Sequence, residues 1–183
     1  LLRGASTAGG TIRKGDALDL PDAYHYAPAL ADLTGDGAAD LVVGTWQGGL
    51  SYYENEGGGS FESVADGPLE GLPGGTNVVP ALGDLTGDGL PDLVRGTASG
   101  TVTLHRNTGT PSAPRFAQTP DTLATIDTRA APALHDVDGD GRLDGVPRQA
   151  TPAFGDLTGD GRAELLVGGQ RGGLVLFRPR ASR

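Results

Sequence analysis

The sequence contains no cysteine and no methionine, and aromatic residues make up only 5% of its 183 positions. The absence of cysteine excludes disulfide bonds and thiolate metal sites. With 37% hydrophobic residues the chain can bury only a thin core, so we expect another interaction to add to its stability. No apolar run is long enough for a membrane span or a signal peptide. We therefore expect no membrane insertion, and we interpret the chain as a mature or excerpted segment.

Acidic residues outnumber basic ones by 23 to 14, which gives a net charge of −9. Thirteen of the 23 acids lie in four short glycine-rich segments rather than over the whole chain. This clustering is better explained by bound cations than by an acidic surface that binds a partner. There is no basic patch beyond the arginines of the last six residues, so we expect no nucleic-acid binding.

An internal repeat organises the chain. The segment that begins at Pro28 recurs 52 residues later at Pro80 and again at Pro132, and a fourth copy begins at Pro152. We predict a single repeat array rather than separate globular domains. Its parts are leading strands in 1–27, repeat 1 in 28–79, repeat 2 in 80–131, a truncated repeat 3 in 132–151 and repeat 4 in 152–183.

Each complete repeat contains short apolar runs separated by glycine. In repeat 1, Leu41–Val43 is closed by Gly44, and a second run, Leu50–Tyr53, follows a glycine pair. This pattern predicts a β-hairpin. Further strands are expected around Phe61 and Phe116, and before each acidic segment, whereas no segment has a convincing helical pattern. The sequence therefore predicts an all-β protein of tandem four-stranded antiparallel units.

The four acidic segments share the pattern Asp-x-(Thr/Asp)-Gly-Asp-Gly-x-x-(Asp/Glu). They are loop 1 (Asp32–Asp40), loop 2 (Asp84–Asp92), loop 3 (Asp136–Asp144) and loop 4 (Asp156–Glu164). Side-chain oxygens stand at positions 1, 3, 5 and 9, and a backbone carbonyl is available at position 7. Calcium takes six to eight hard oxygen ligands, and alternate residues of a tight loop can supply them. The pattern therefore predicts up to four Ca²⁺ ions.

The candidate metal ligands follow from these positions, and the residue at position 7 contributes only its carbonyl oxygen. They are Asp32, Thr34, Asp36, Ala38 and Asp40 in loop 1; Asp84, Thr86, Asp88, Leu90 and Asp92 in loop 2; Asp136, Asp138, Asp140, Arg142 and Asp144 in loop 3; and Asp156, Thr158, Asp160, Arg162 and Glu164 in loop 4. Loop 3 has a fourth carboxylate in Asp138, so we expect it to bind most tightly.

The loop pattern has two other interpretations. An EF-hand is rejected, because the last carboxylate comes at position 9 rather than 12 and no flanking helices are expected. Aspartate and glycine also form tight turns without any ion. Four copies at homologous positions favour calcium over turn formation alone.

The segment Asp32–Gly44 followed by Gly49–Gly57 resembles the FG-GAP/VCBS repeats, the blades of integrin-α-like β-propellers. The resemblance extends over about 25–178. It implies four-stranded blades with Ca²⁺ in the loop before the strand at Leu41, in secreted or surface proteins that serve adhesion, sugar binding or scaffolding. A closed propeller typically has four to eight blades, and this chain holds about three and a half units. We therefore expect an incomplete propeller that is completed by self-association or by further blades.

These observations predict a non-enzymatic, extracellular or cell-surface scaffold with no catalytic residues. The sequence has no nucleophile and base pair, zinc set or phosphate loop, and its three histidines occur singly, which favours structural roles. His105 aligns with Tyr53 and Phe177, which indicates a packing position. One alternative is a propeller lectin in which Trp46 stacks on a sugar, with a glycan or surface protein as partner. Another is a non-catalytic domain of a larger secreted enzyme.

Overall fold

The computed structural model describes residues 2–3, 11–12, 18, 20, 22–57, 60–65, 67–126, 129–135, 143–146, 152–155, 164–168 and 174–177. Within these ranges the chain forms β-strands and no helix. The strands are β1 (Leu2–Arg3), β2 (Thr11–Ile12), β3 (Ala27–Ala31), β4 (Asp40–Gly44), β5 (Leu50–Asn55), β6 (Phe61–Ser63), β7 (Val79–Gly83), β8 (Asp92–Gly96), β9 (Thr101–His105), β10 (Asp121–Thr125), β11 (Ala133–His135), β12 (Asp144–Val146), β13 (Pro152–Gly155), β14 (Glu164–Gly168) and β15 (Leu174–Phe177).

The molecule contains two four-stranded antiparallel sheets. Blade 1 has the order β3-β4-β5-β6, and blade 2 has the order β7-β8-β9-β10, so strands adjacent in sequence are paired. The remaining strands form a β1-β2 pair, a β11-β12 pair and a three-stranded sheet, β13-β14-β15. The predicted all-β class and the four-stranded antiparallel blades are confirmed, whereas the repeat boundaries stay a prediction.

The register of the two blades repeats with the sequence. Leu41 lies opposite Leu30 on one side and Tyr53 on the other. In blade 2, Leu93 lies opposite Leu82 and His105, and each of these residues is 52 positions after its counterpart in blade 1. Residues 52 positions apart therefore occupy equivalent places, and each blade is an internal reference for the other.

The core lies between the blades. A cluster of buried side chains joins blade 1 to blade 2, and Val42 and Leu93 are completely buried within it; its members are Leu33, Val42, Tyr52, Leu93 and Phe116. A second cluster, around Val94 on the other face of blade 2, packs against Leu134 of β11. Each blade thus buries apolar surface against its neighbours, as stacked repeats do.

The prediction of a strand at Phe116 is wrong. Phe116 makes an isolated antiparallel bridge with Asn107, and the outer strand of blade 2 is β10, a few residues further along the chain. Prolines at 111, 114 and 120 explain the shift, because proline lacks the N–H that a strand ladder needs. Phe116 instead packs in the cluster between the blades, where it is 2% exposed.

Candidate metal centre

Loop 1 joins β3 to β4, and loop 2 joins β7 to β8, so both lie at the same end of equivalent strand pairs. Both glycines of each loop have positive φ angles, 72° and 89° at Gly35 and Gly37, and 77° and 86° at Gly87 and Gly89. Side chains with a Cβ rarely adopt this conformation. The tight glycine turn expected from the sequence is therefore present in both loops.

The first aspartate of each loop holds the turn together. In loop 1, the Asp32 carboxylate accepts hydrogen bonds from the N–H groups of Gly35 and Gly37, at 2.7 and 2.9 Å. Asp84 makes the equivalent bonds in loop 2, at 2.7 and 2.8 Å. Such local bonds are typical of aspartate in turns. The loop backbone is thus pre-formed around the position 1 carboxylate.

The aspartates at position 5 are more exposed. Asp36 accepts one hydrogen bond, from the N–H of Ala38 at 2.7 Å. Asp88 accepts the corresponding bond from Leu90 at 2.9 Å. Each carboxylate oxygen has two lone pairs, so both groups keep capacity to bind a cation.

The last aspartate of loop 1 has a structural role that sequence reasoning missed. Asp40 is completely buried, and its two oxygens accept hydrogen bonds from the N–H groups of Leu33 and Asn55, at 2.8 and 2.9 Å. The Asn55 side chain donates to the carbonyl of Ala39 at 2.9 Å and accepts from the N–H of Gly57 at 3.0 Å. Asp40 and Asn55 together join the loop to the end of β5.

Loop 2 repeats this arrangement. The buried Asp92 accepts hydrogen bonds from Leu85 and Thr86 at 3.0 Å each, and from the backbone of Asn107 at 2.9 Å. The Asn107 side chain donates to the carbonyl of Pro91 at 3.2 Å. The sequence signal for this hydrogen-bonded Asp–Asn pair was the recurrence of asparagine 52 residues after Asn55, at Asn107.

In both described loops, the threonine at position 3 has a buried hydroxyl for which no hydrogen bond is found. The Oγ1 atoms of Thr34 and Thr86 are buried and have no hydrogen-bond partner in the described part of the chain. An unsatisfied buried polar group costs about 1–3 kcal/mol, so its occurrence at the same place in both blades calls for an explanation. A hydroxyl oxygen is a hard ligand of the kind that Ca²⁺ accepts. The residues at this position therefore fit the predicted ion.

The carboxylates alone do not form a metal site. Among the residues that the structure describes, no three Asp, Glu, His or Cys side chains lie together in a group that could hold a metal. In loop 1 the aspartates at both ends are engaged by backbone N–H groups. A cation in either described loop would therefore depend on hydroxyl and carbonyl oxygens as well as on carboxylates.

Loops 3 and 4 lie largely outside the described residues. Their ligands from Asp136 to Arg142 and from Asp156 to Arg162 fall in undescribed ranges, so these assignments stay predictions. The last residues, Asp144 and Glu164, are the first residues of β12 and β14, as Asp40 is of β4. Position 9 therefore begins a strand in all four loops.

Tyr52 lies in the cluster beside loop 1. Burial raises the pKa of its phenol above the ordinary value, and the negative charge of Asp40 raises it further. The hydroxyl is buried, and among the described residues only the Asp40 carboxylate is near enough to act on it as an acceptor, without full hydrogen-bond geometry. It therefore stays neutral near the carboxylates of the loop.

The structure places two other candidate residues in packed environments. His105 is completely buried, and its Nδ1 lies 2.8 Å from the carbonyl of Ala117, which confirms the predicted packing role. The Trp46 ring contacts His25, with 5.4 Å between the ring centroids, and the Arg129 guanidinium lies 4.7 Å from its centroid. A sugar stacking on the face beneath Arg129 would have to displace that guanidinium.

Comparison with known proteins identifies the repeat. The model of the FG-GAP-like repeat matches residues 32–94 and 84–146, which together make up more than half of the chain. A search of curated proteins and a search of solved structures gave no match. No helix in the described part of the chain is long and apolar enough to cross a membrane. Both matched segments start at the first aspartate of a loop and extend into the next repeat. The chain therefore belongs to the FG-GAP-like repeat family.

Proposed function

We propose that this chain is a non-enzymatic, calcium-binding β-repeat module that serves as a structural or adhesive scaffold outside the cell or at its surface. FG-GAP repeats are generally non-catalytic scaffold modules and typically occur in extracellular or surface proteins. The observation that carries the calcium proposal is the partnerless buried hydroxyl at Thr34 and again at Thr86. Each hydroxyl stands between two aspartates in a loop whose backbone is already shaped.

The proposed ligands in the two described loops are the residues predicted from the sequence. They are the side chains of Asp32, Thr34, Asp36 and Asp40 with the carbonyl of Ala38, and the side chains of Asp84, Thr86, Asp88 and Asp92 with the carbonyl of Leu90. When bound, the ion would neutralise the clustered carboxylates and link the two ends of the loop. The buried aspartate at position 9 also accepts hydrogen bonds from the loop backbone in both loops.

Replacing both position 3 threonines with valine tests this proposal. In the double variant T34V/T86V, we expect calcium affinity to fall about tenfold or more at these sites, which is about 1.4 kcal/mol per site. The reason is that valine nearly keeps the shape of threonine but removes the ligand oxygen. Isothermal titration calorimetry with calcium chloride measures the effect, and Thr125→Val on the exposed part of β10 is the matched control.

The two outcomes of this experiment are distinct. If the hydroxyls bind no ion, removing an unsatisfied buried oxygen should leave stability unchanged or raise it. A double variant that melts at the same or a higher temperature in calcium, with unaltered affinity, contradicts the proposed ligand role.

We also propose that another blade covers the leading side of blade 1, either from a second copy or from further blades of a longer chain. Tyr26 is 43% exposed and Leu30 is 59% exposed. Their equivalents in blade 2 are better covered, since Val78 is 1% exposed and Leu82 packs against the cluster between the blades. Stacked repeats bury such faces against a neighbour. The greater exposure in blade 1 therefore supports a further blade packed on this side.

Sedimentation velocity in calcium tests the assembly. The 18.5 kDa chain is expected to sediment at micromolar concentration as a species of two or more copies if no further blades are present. Leu30→Lys should shift the population to monomer, because it places a charge on the proposed interface. Leu123→Lys, at an exposed leucine of β10, is the control. A fully folded wild-type monomer would contradict self-association.

A further inference from the structure

Blade 2 contains a buried arginine that has no acidic partner among the residues that the structure describes. Arg95, on β8, is 3% exposed, and its Nε atom is buried without a hydrogen-bond partner. The ion pair found among the described residues joins Arg106 to Asp121 instead, at 3.0 Å. Burial lowers the pKa of Arg95, yet a guanidinium stays charged in proteins. A buried charge is costly unless it is paired, so this position calls for a counter-ion.

The repeat itself shows that the fold does not need this charge. The residue equivalent to Arg95 in blade 1 is Val43, and the residue equivalent to His105 is Tyr53. Val43 and Tyr53 pack together in an apolar cluster. In blade 2 both members of this pair have become polar, although the strands and their register are the same. The strands therefore form with either pair, so the blade fold itself does not require Arg95 and His105.

The neighbouring histidine orients the guanidinium. Because the carbonyl of Ala117 can only accept a hydrogen bond, the His105 Nδ1 atom, 2.8 Å away, must carry a proton. Burial, followed by the charge of Arg95, lowers the pKa of His105, so the ring is neutral and Nε2 is an acceptor. Arg95 donates to this atom from Nη1 and to the carbonyl of Gly74 from Nη2, each at 3.4 Å. Nε and part of the donor fork remain unused.

Arg95 lines a cleft of about 660 Å³ between β8, β9 and the connection from blade 1. The hydroxyls of Thr97, Ser99 and Thr101 form a chain along it, with distances of 2.8 and 3.1 Å. No acidic residue is among the described residues that line the cleft, although the chain has 23 acids. A Cβ on Gly74 would meet nothing within 4 Å, so the cleft wall at Gly74 faces open space.

We propose that this cleft, the Arg95 cleft, binds the oxyanion group of a ligand, either a carboxylate or a sulfate. Arg95 presents a planar donor fork that matches such a group. The hydroxyls of Thr97, Ser99 and Thr101 use two of their three protons within their own chain, so at most one of them is a further donor to the ligand. The ligand would provide the counter-charge that no described acidic residue supplies at this position. This site is separate from the calcium loops and does not depend on them.

Titration by NMR tests the proposal on the intact chain. Protein labelled with ¹⁵N-arginine is titrated with sodium acetate or sodium sulfate in calcium buffer, with sodium chloride holding the ionic strength constant. The Arg95 Nε–H signal should shift and saturate with at least one anion. The acetate and sulfate arms distinguish a carboxylate ligand from a sulfate ligand. Comparison at constant ionic strength also separates binding from the general stabilising effect of sulfate.

Variants assign the binding to Arg95. R95V, which introduces the blade 1 residue, should lower the affinity for the anion at least tenfold. R106Q, at an exposed arginine, should leave this affinity unchanged. R95K keeps the charge but loses the planar donor fork, so its affinity for the anion should lie between those of R95V and R106Q. If R95V does not fold, saturation of the Arg95 Nε–H shift in the wild type is by itself the test of anion binding. Shifts that never saturate, or equal affinities in R95V and wild type, would overturn the proposal.

Discussion

Removing calcium with excess EGTA is expected to lower the melting temperature of this protein by about 10–20 °C. A ligand at 100 times its dissociation constant stabilises the folded state by about 2.7 kcal/mol per site. The two described loops would together contribute roughly 5 kcal/mol, and each kcal/mol shifts the melting temperature of a chain of this size by about 2–4 °C. Thermal melts followed by circular dichroism, with and without EGTA, measure the change.

Two controls make the calcium experiment specific. Calcium added back should restore the melt, whereas magnesium should restore less, because it demands octahedral geometry and shorter ligand distances. The T34V/T86V variant should show a smaller difference between calcium and EGTA than the wild type. A wild-type melt that EGTA leaves unmoved would refute the proposed role of calcium.

Asp92→Ala is expected to destabilise the protein by about 4 kcal/mol even in EGTA. Asp92 is completely buried and accepts hydrogen bonds from three backbone N–H groups, those of Leu85, Thr86 and Asn107. Hydrogen bonds to a charged group contribute about 1.5–3 kcal/mol each, and removal of the acceptor leaves buried donors unsatisfied. Urea unfolding in EGTA isolates this effect from any bound ion.

Asp88→Ala is the matched control in the same loop. Its carboxylate is exposed and accepts a hydrogen bond from Leu90 N–H, so we expect a small loss in EGTA and a larger loss in calcium. Asp92→Asn, which keeps an acceptor oxygen, should cost less than Asp92→Ala. Equal losses for Asp88→Ala and Asp92→Ala in EGTA would show that Asp92 is not the backbone anchor.

Local sequence was sufficient to predict the blades. Glycine closes each apolar run and permits the turns in the loops, and these signals lie within a few residues of the structure they determine. The prediction of a strand at Phe116 was wrong for the opposite reason. An outer strand has a weak sequence pattern of its own, and the prolines around Phe116 prevent the backbone hydrogen bonds that pair one strand with another. The segment is instead held by contacts between the blades, including a bond from Phe116 N–H to the carbonyl of Pro68 at 3.4 Å.

The candidate metal centre was predictable only in part. The spacing of Asp32, Thr34 and Asp36 marks a loop with oxygen side chains, and the structure keeps all three in the tight turn. The sequence could not show that the Thr34 hydroxyl has no partner, because satisfaction of a buried polar atom depends on everything packed around it. It also could not show that Asp40 is engaged by Asn55, which lies 15 residues further along the chain.

The sequence by itself determined the all-β repeat, the glycine turns and the position of each acidic loop, because these depend on backbone preferences and on spacing within one repeat. Tertiary structure alone decided which polar groups are satisfied. Equivalent positions hold Val43 in an apolar cluster and Arg95 without a described acidic partner. Trp46 lies under Arg129, which comes from a distant part of the chain. Burial and charge pairing are set by residues that meet only when the blades pack, so no local pattern could contain them.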